Sequence, residues 1–215
     1  APMARRFQEM YNVYEKVRAA IAVKNRGYAC SSPFAQQAGH HTIEEVLNGA
    51  IVCDPLRLLE CCAMSVGSSA VLLCYEELAY QMTDKPTRLQ ICAGSHTLRT
   101  GDRRHMRFPL LPHEREEDYK ELYADMERHG SRWPGFESFL AARFAAYMVY
   151  RMAGIENPLE DFDLVETHDA FTISDLQTYG DVGLTPYGRE QDYVTSGDCY
   201  FENPHTGKPG KCPSN

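Results

Sequence analysis

The sequence lacks any apolar run near the length of a membrane span. Its best, Ala70-Val-Leu-Leu-Cys74, falls far short of the roughly 20 residues a spanning helix needs. The N-terminus is charged and has no apolar stretch, so it does not read as a secretory signal. Positive charge is in deficit, with a formal net charge of −8. Nucleic acid is thereby excluded as a main partner, because phosphate binding needs a basic surface. A local basic patch for an anionic cofactor stays open. No two cysteines stand at Cys-x-x-Cys spacing, so Cys199, His205 and Cys212 do not read as a zinc ribbon. No internal repeat is present. The chain opens at Ala1 without an initiator Met, which fits either processing or further sequence upstream.

What is present is ordinary for a globular protein: 43% hydrophobic and 24% charged residues in 215. That length suits one large domain or one and a half small ones. Cys61, Cys62, Cys74 and Cys92 sit inside apolar stretches and read as core positions, since a buried free thiol behaves as a small hydrophobe. A chain this rich in core residues needs no disulfide framework. A reducing cytoplasm is the compartment this implies.

Periodicity predicts helices and short strands in alternation. Phe7, Met10, Tyr14, Val17 and Ile21 recur at helical spacing over residues 3–23. Thr42-Ile-Glu-Glu45 fits a capping box, with Gly49 closing the short helix that follows. Residues 50–53, 70–75 and 88–93 read as buried strands, separated by turn clusters at 64–68 and 83–86. Residues 99–107 are basic and 114–127 acidic, with Tyr119, Leu122, Tyr123 and Met126 interleaved. The whole of 99–135 reads as a surface excursion holding one amphipathic helix. A long helix follows over 136–153, with Leu140, Phe144, Tyr147 and Met148 on one face and Gly154 at its end. A strand over 163–166 runs into a helix over 172–179, and the Gly/Pro/Asp/Asn-rich tail 183–215 reads as loops. The class is α/β, layered, and apparently partial, because the strands are too few to close a sheet.

Chemistry concentrates between that strand and that helix, at His168-Asp-Ala-Phe171. Polar groups at the C-terminal end of a strand open toward the site in layered α/β folds. A His there can donate an N–H to a developing oxyanion, and the helix N-terminus adds a favourable dipole. On local pattern alone the plainer reading is favoured: Asp169 caps the helix and His168 is a half-buried polar residue. His40-His41 reads as a polar helix lead-in, and Arg103-Arg104-His105 as a solvated loop that could meet phosphates.

Leu164-Val-Glu-Thr-His-Asp-Ala-Phe-Thr-Ile-Ser-Asp-Leu176 resembles the His-Asp-Ala-Phe motif of the thiolase superfamily, of the sterol-carrier-protein-X and archaeal acetoacetyl-CoA types. Other segments resemble that family in the same order. They are Ala22-Val-Lys-Asn25, Ser32-Pro-Phe-Ala-Gln36, Asp54-Pro-Leu-Arg-Leu-Leu-Glu-Cys-Cys62, Tyr147 to Ile155, and Glu202-Asn-Pro-x-Thr-Gly-Lys-Pro-Gly210. The similarity spans almost the whole chain, least over 99–134.

The resemblance implies a fold of two similar halves, each a sheet between helices, with a loop domain. Residues 1–62 would be a loop-domain segment and lead-in, and 63–98 the last strands of the N-terminal half. Residues 99–135 would be an excursion, and 136–215 the first part of the C-terminal half. It implies Claisen cleavage or formation of a β-ketoacyl-CoA through a Cys acyl-enzyme. His168 would help form the pocket that stabilises the thioester enolate. Ala170 and Phe171 would pack against the acyl-pantetheine arm, with Cys62 near a pantetheine-contacting turn. The nucleophilic Cys, the Gly-His-Pro His and the final Cys would fall outside residues 1–215. Coenzyme A is implied as substrate or product, with no tightly bound cofactor and no metal. A homo-oligomer is implied, and a small OB-fold zinc-ribbon protein as a further partner.

Two departures stand out. The family's Ser-Asp-Gly-Ala-Ala-Ala turn appears as Ser65-Val-Gly-Ser-Ser-Ala70, and Val66 removes a turn-stabilising acceptor. The excursion is long for an acetoacetyl-CoA enzyme; a lid over the site and a solvated helix are equally open. Two rival functions remain: a thiolase-related retro-aldolase acting on a β-hydroxyacyl-CoA, and a non-catalytic scaffold subunit.

Overall fold

The computed structural model describes residues 1–89 and 108–215. The expected strand over 88–93, Cys92 and the basic stretch 99–107 therefore lie wholly or mainly outside the described residues.

Chain order is α1 (Pro2–Tyr11), α2 (Glu15–Ala29), α3 (Ile43–Asn48), β1 (Ile51–Cys53), β2 (Leu56–Arg57) and α4 (Glu76–Met82). After the undescribed stretch come α5 (Lys120–Arg128), α6 (Leu140–Ala153), α7 (Pro158–Asp161), α8 (Thr172–Asp181) and α9 (Glu190–Thr195). Among the described residues the one sheet is the antiparallel pair β1–β2, with Ile51 opposite Arg57 and Cys53 opposite Leu56. Helices thus dominate, in a partial layered arrangement.

The helix expected over 3–23 is two helices. Asn12 adopts a left-handed conformation at φ 50°, which Asn tolerates because its short amide bonds locally. The break turns Tyr14 out to solvent while Phe7, Val17 and Ile21 stay buried. Helix α3 starts as its capping box predicts: Glu45 N–H donates to Thr42 Oγ1 at 3.2 Å, and Thr42 N–H donates to Glu45 Oε2 at 2.8 Å. Helix α6 ends at Gly154, whose φ of 72° suits a residue without Cβ. Its buried line is Leu140, Arg143, Ala146 and Tyr150, so Met148 faces solvent against expectation.

The core gathers where α2 packs on α8 and α9. Phe7, Val17, Ile21, Leu176, Tyr179, Tyr193, Cys199 and Cys212 fill it. The tail 183–215 is mostly irregular, as expected, with one short helix, α9. Residues 183–185, Cys199 and 212–214 are buried while 204–209 are exposed, and cross-links hold the segment: Gly210 N–H donates to Tyr200 O at 2.9 Å and Ser214 N–H to Cys199 O at 3.0 Å. The excursion also packs inward. Phe108, Tyr119, Met126 and Leu140 form a second core, anchored by buried Arg143, which pairs with Glu114 and lies over the Phe108 ring.

The strand expected at 50–53 forms as β1, but it is exposed along its length and not buried, and 70–75 forms no strand. Val66, Leu72, Leu73 and Tyr75 all face solvent, and the segment joins no sheet among the described residues. No turn forms at 64–68. Cys62 and Cys74 are exposed and Cys61 is only half-buried, whereas Cys199 and Cys212 are the core thiols. Burial pushes these two up, Cys199 to about 12 and Cys212 to about 11.

Candidate functional site

The expected site residues sit on a loop held between three elements. The strand expected over 163–166 is a single parallel bridge, Val165 to Ser214. The 167–171 loop follows and enters α8 with Phe171 as N-cap residue. Asp169 does not cap that helix. Its carboxylate instead accepts from Asn25 Nδ2 at 2.8 Å, across the chain on α2.

One side of the loop meets the 54–62 turn. Cys62 N–H donates to Ala170 O at 2.9 Å, and Cys61 forms an isolated antiparallel bridge with Phe171. The structure thus joins Cys62, Ala170 and Phe171 on one edge. Phe171 keeps 39% of its surface exposed. His168 is exposed and does not line the adjoining cleft. It stands on the solvent side of the same loop.

That turn is itself anchored by charge. Glu60, buried, accepts from Arg18 Nε at 2.9 Å, from Arg57 N–H at 2.9 Å and from Thr172 Oγ1 at 3.2 Å. Arg18 also donates to Pro55 O at 3.1 Å. A buried ion pair offsets its desolvation only when its remaining donors and acceptors are also met, and here most are. Arg26 makes a second clamp. It donates to Leu59 O at 2.9 Å, to Cys61 O at 3.1 Å and to Gln37 O at 3.1 Å, tying the 32–37 loop to the turn beside Cys62.

Between these pieces lies a cleft of about 230 Å³ whose lining includes Asn25, Arg26, Gln36, Cys62, Asp169 and Thr172. A larger hollow of about 1050 Å³ lies on another face, between α1, α5 and 185–192, and contains none of the motif residues. We place the candidate site at the smaller cleft for that reason.

Beneath the loop runs a buried polar chain. Lys24 donates to the backbone oxygen and hydroxyl of Ser214. Ser214 Oγ bonds Tyr179 OH at 2.9 Å, which donates to Asp175 Oδ2 at 3.0 Å. Asp175 also accepts from Thr167 Oγ1 at 2.6 Å, Asn25 Nδ2 at 2.9 Å and Asn215 Nδ2 at 3.2 Å. Burial lowers the Lys24 pKa, and nearby Cys199, Asp175 and Asp169 oppose that shift. Asn25, Arg26 and Asp175 carry this scaffold, and sequence patterning assigned them no part. Asn25 and Asp175 fall within the quoted motifs, the one signal that could have drawn attention to them.

Among the described residues no three His, Cys, Asp or Glu side chains come together to hold a metal. His205 Nε2 bonds Thr195 O at 2.9 Å, and Cys199 and Cys212 belong to the core. Among those residues no helix is long and apolar enough to cross a membrane.

The chain is similar to known proteins in sequence and in fold. Residues 124–208 match the thiolase C-terminal domain-like family. The chain is 34% identical over 181 residues to benzoylsuccinyl-CoA thiolase subunit BbsB of Thauera aromatica, covering 84% of this chain and 39% of that protein. It is 32% identical over 189 residues to an acetyl-CoA acetyltransferase of Methanothermobacter thermautotrophicus, covering 87% and 41%. Sterol carrier protein 2 of Gallus gallus is 27% identical over 190 residues, covering 88% and 30%. The chain therefore spans about two fifths of the first two relatives. A solved structure titled "Ltp2-ChsH2(DUF35) aldolase" superposes with a TM-score of 0.64 at 19% identity, over 100% of this chain and 48% of that one, a likeness of fold.

Proposed function

From a chain whose resemblance to thiolases is shown, we propose that it serves in an acyl-CoA C-acyltransferase that makes or cleaves a β-ketoacyl-CoA. The supporting observation is the braced loop that presents His168 outward while joining Ala170 and Phe171 to Cys62. In the forming direction a Cys supplied outside residues 1–215 carries the acyl group as a thioester. A second acyl-CoA loses its α-proton to the final Cys, acting as thiolate base, and the electron pair moves onto the thioester oxygen. An imidazole N–H of His168 donates to that oxygen as charge develops. The α-carbon then attacks the acyl-enzyme carbonyl, the C–C bond forms, and the Cys thiolate leaves. Phe171, Ala170 and Cys62 give the acyl-pantetheine arm an apolar edge. Coenzyme A is substrate or product. The Gly-His-Pro His and the final Cys would likewise lie outside residues 1–215.

We assign residues 1–62 to a loop domain, 63–98 to the last strands of an N-terminal half, 99–135 to an excursion, and 136–215 to the start of a C-terminal half. The exposed apolar stretch 70–75 supports this, since it is an apolar run that joins no sheet among the described residues. Work within an assembly is part of the same proposal, as a homo-oligomer and with a small OB-fold zinc-ribbon protein. One relative is named a subunit, and the fold neighbour's title names a DUF35 component.

A retro-aldol reaction on a β-hydroxyacyl-CoA is the second reading, favoured by the word aldolase in that same title. It uses the same enolate-stabilising donor and needs no acylated Cys. One experiment separates the two. The whole polypeptide is incubated with a labelled acyl-CoA and examined by intact mass. A covalent acyl adduct, with His168→Ala lowering kcat on the order of a hundredfold to a thousandfold, supports the transferase. Aldol cleavage with no adduct overturns it.

A further inference from the structure

We propose that Asn25 and Asp175 are positioning residues for His168, fixing the 167–171 loop so that the imidazole meets the thioester oxygen. The inference rests on the acyl-CoA reading above and adds the device that aims its donor. Among the described residues no hydrogen bond fixes the exposed His168 ring itself, so the loop backbone, which sets where its Cα–Cβ bond points, is what limits the reach of the imidazole. Both neighbours of His168 are tied. Thr167 donates its hydroxyl to Asp175 at 2.6 Å and its N–H to Asn215 Oδ1 at 2.6 Å. Asp169 accepts from Asn25 at 2.8 Å.

Asn25 and Asp175 link these ties. One amide nitrogen of Asn25 serves both carboxylates, Asp169 at 2.8 Å and Asp175 at 2.9 Å. Turning the amide over would set its oxygen against two carboxylates, so its orientation is determined. Asp175 is fully buried and accepts from Thr167, Asn25, Tyr179 and Asn215. A buried carboxylate that loses a donor suffers a desolvation cost, so the loop and α8 resist separation. Three of these donors come from outside α8, and Tyr179 comes from its own next turn. The arrangement stabilises a loop position as well as a helix.

The test compares Thr167→Val and Asn25→Ala with Tyr179→Phe in the whole protein. Tyr179→Phe removes a donor from the same carboxylate on the helix side. The two loop-side variants should lose kcat on the order of tenfold to a hundredfold for CoA-ester turnover with KM within about twofold, while Tyr179→Phe keeps kcat within about twofold. Equal loss in all three, or unchanged kcat in the loop-side pair, overturns the inference. Amide hydrogen exchange at 167–171 gives a readout free of turnover. If the wild-type protein acts on no CoA ester, the proposed function fails. Exchange then decides whether Asn25 and Thr167 hold the loop: faster exchange there, with α8 still protected, supports the tie, and unchanged exchange overturns it.

Discussion

Helix α8 and the stretch 70–75 invert the usual relation between composition and burial. Helix α8 is Thr-Ile-Ser-Asp-Leu-Gln-Thr-Tyr-Gly-Asp, rich in polar side chains, yet all but Thr178 are buried. Residues 70–75 are Ala-Val-Leu-Leu-Cys-Tyr, and all are exposed. The difference lies in what each meets. Polar atoms of α8 find donors and acceptors on α2, on the 136–139 approach to α6 and on the tail, while the apolar stretch finds no sheet. Burial follows the partners available to a segment, and hydropathy states only which partners it needs.

The largest expected effect is on a buried charge. Arg143 is fully buried, pairs with Glu114, and donates to Pro109 O at 2.8 Å and Gly180 O at 3.2 Å. Arg143→Leu strands the Glu114 carboxylate and should destabilise by about 3–5 kcal/mol. Urea unfolding would measure it. The double variant Arg143→Leu/Glu114→Leu should recover much of the loss. If the single variant costs nothing, the polar interior is not what holds the excursion to the body.

A change of pH should act next most strongly. Burial raises the Asp181 carboxyl to about 7 and that of Glu190 to about 8, above ordinary values of 3.8 and 4.5. The folded chain therefore keeps protons that the unfolded chain has released. Stability is full below pH 4, falls as pH rises through these folded values, and levels above them, by on the order of a few kcal/mol. Glu190→Gln should flatten part of that slope, because Gln can still accept the Gly188 N–H that Glu190 Oε1 takes at 3.0 Å. Unfolding midpoints at pH 5 and 9 would show it. A wild-type midpoint that rises over this range contradicts the burial argument.

Local signals were legible in the sequence and distant ones were not. Thr42 and Glu45 announce their cap because the two residues bond each other. Gly154 marks the end of α6 for a similarly local reason. The His168 motif was visible as a pattern. Its support was not, since Asn25 lies 144 residues from Asp169 and Lys24 lies 190 from Ser214. The tail was legible in kind: its Gly, Pro, Asp and Asn content signals irregular backbone, which it has outside α9. That Cys199 and 212–214 reach the core was not legible, because that burial depends on contacts across the fold. The excursion was partly legible: Tyr119 and Met126 carry the helical spacing of a packed face, but the buried Arg143 that receives it looks like surface in the sequence.

A smaller effect comes from the local cap. Thr42→Ala removes the acceptor for Glu45 N–H at the start of α3, whose Val46 packs against Ala19 and Ala22 of α2. The expected cost is about 1 kcal/mol. It should appear as a lower thermal midpoint and leave the 167–171 loop undisturbed, since α3 touches α2 on a different face from α8. A shift in amide exchange at 167–171 would mean that α2 transmits strain from one face to the other.

The smallest effect is the most informative about the opening contrast. Leu73 is 72% exposed here, so Leu73→Ser should change the stability of residues 1–215 by less than about 0.5 kcal/mol. If residues 63–98 join a sheet in a longer polypeptide or assembly, the same substitution there removes a buried apolar side chain and should cost roughly 2–5 kcal/mol. Unfolding both forms side by side measures the gap directly. Equal and small costs would mean that the stretch stays uncovered in both, and the assignment of 63–98 to a sheet would fall. A large cost confined to the longer form would show that the apolar run is a strand awaiting its neighbours, and that its exposure reflects missing partners and not its own preference.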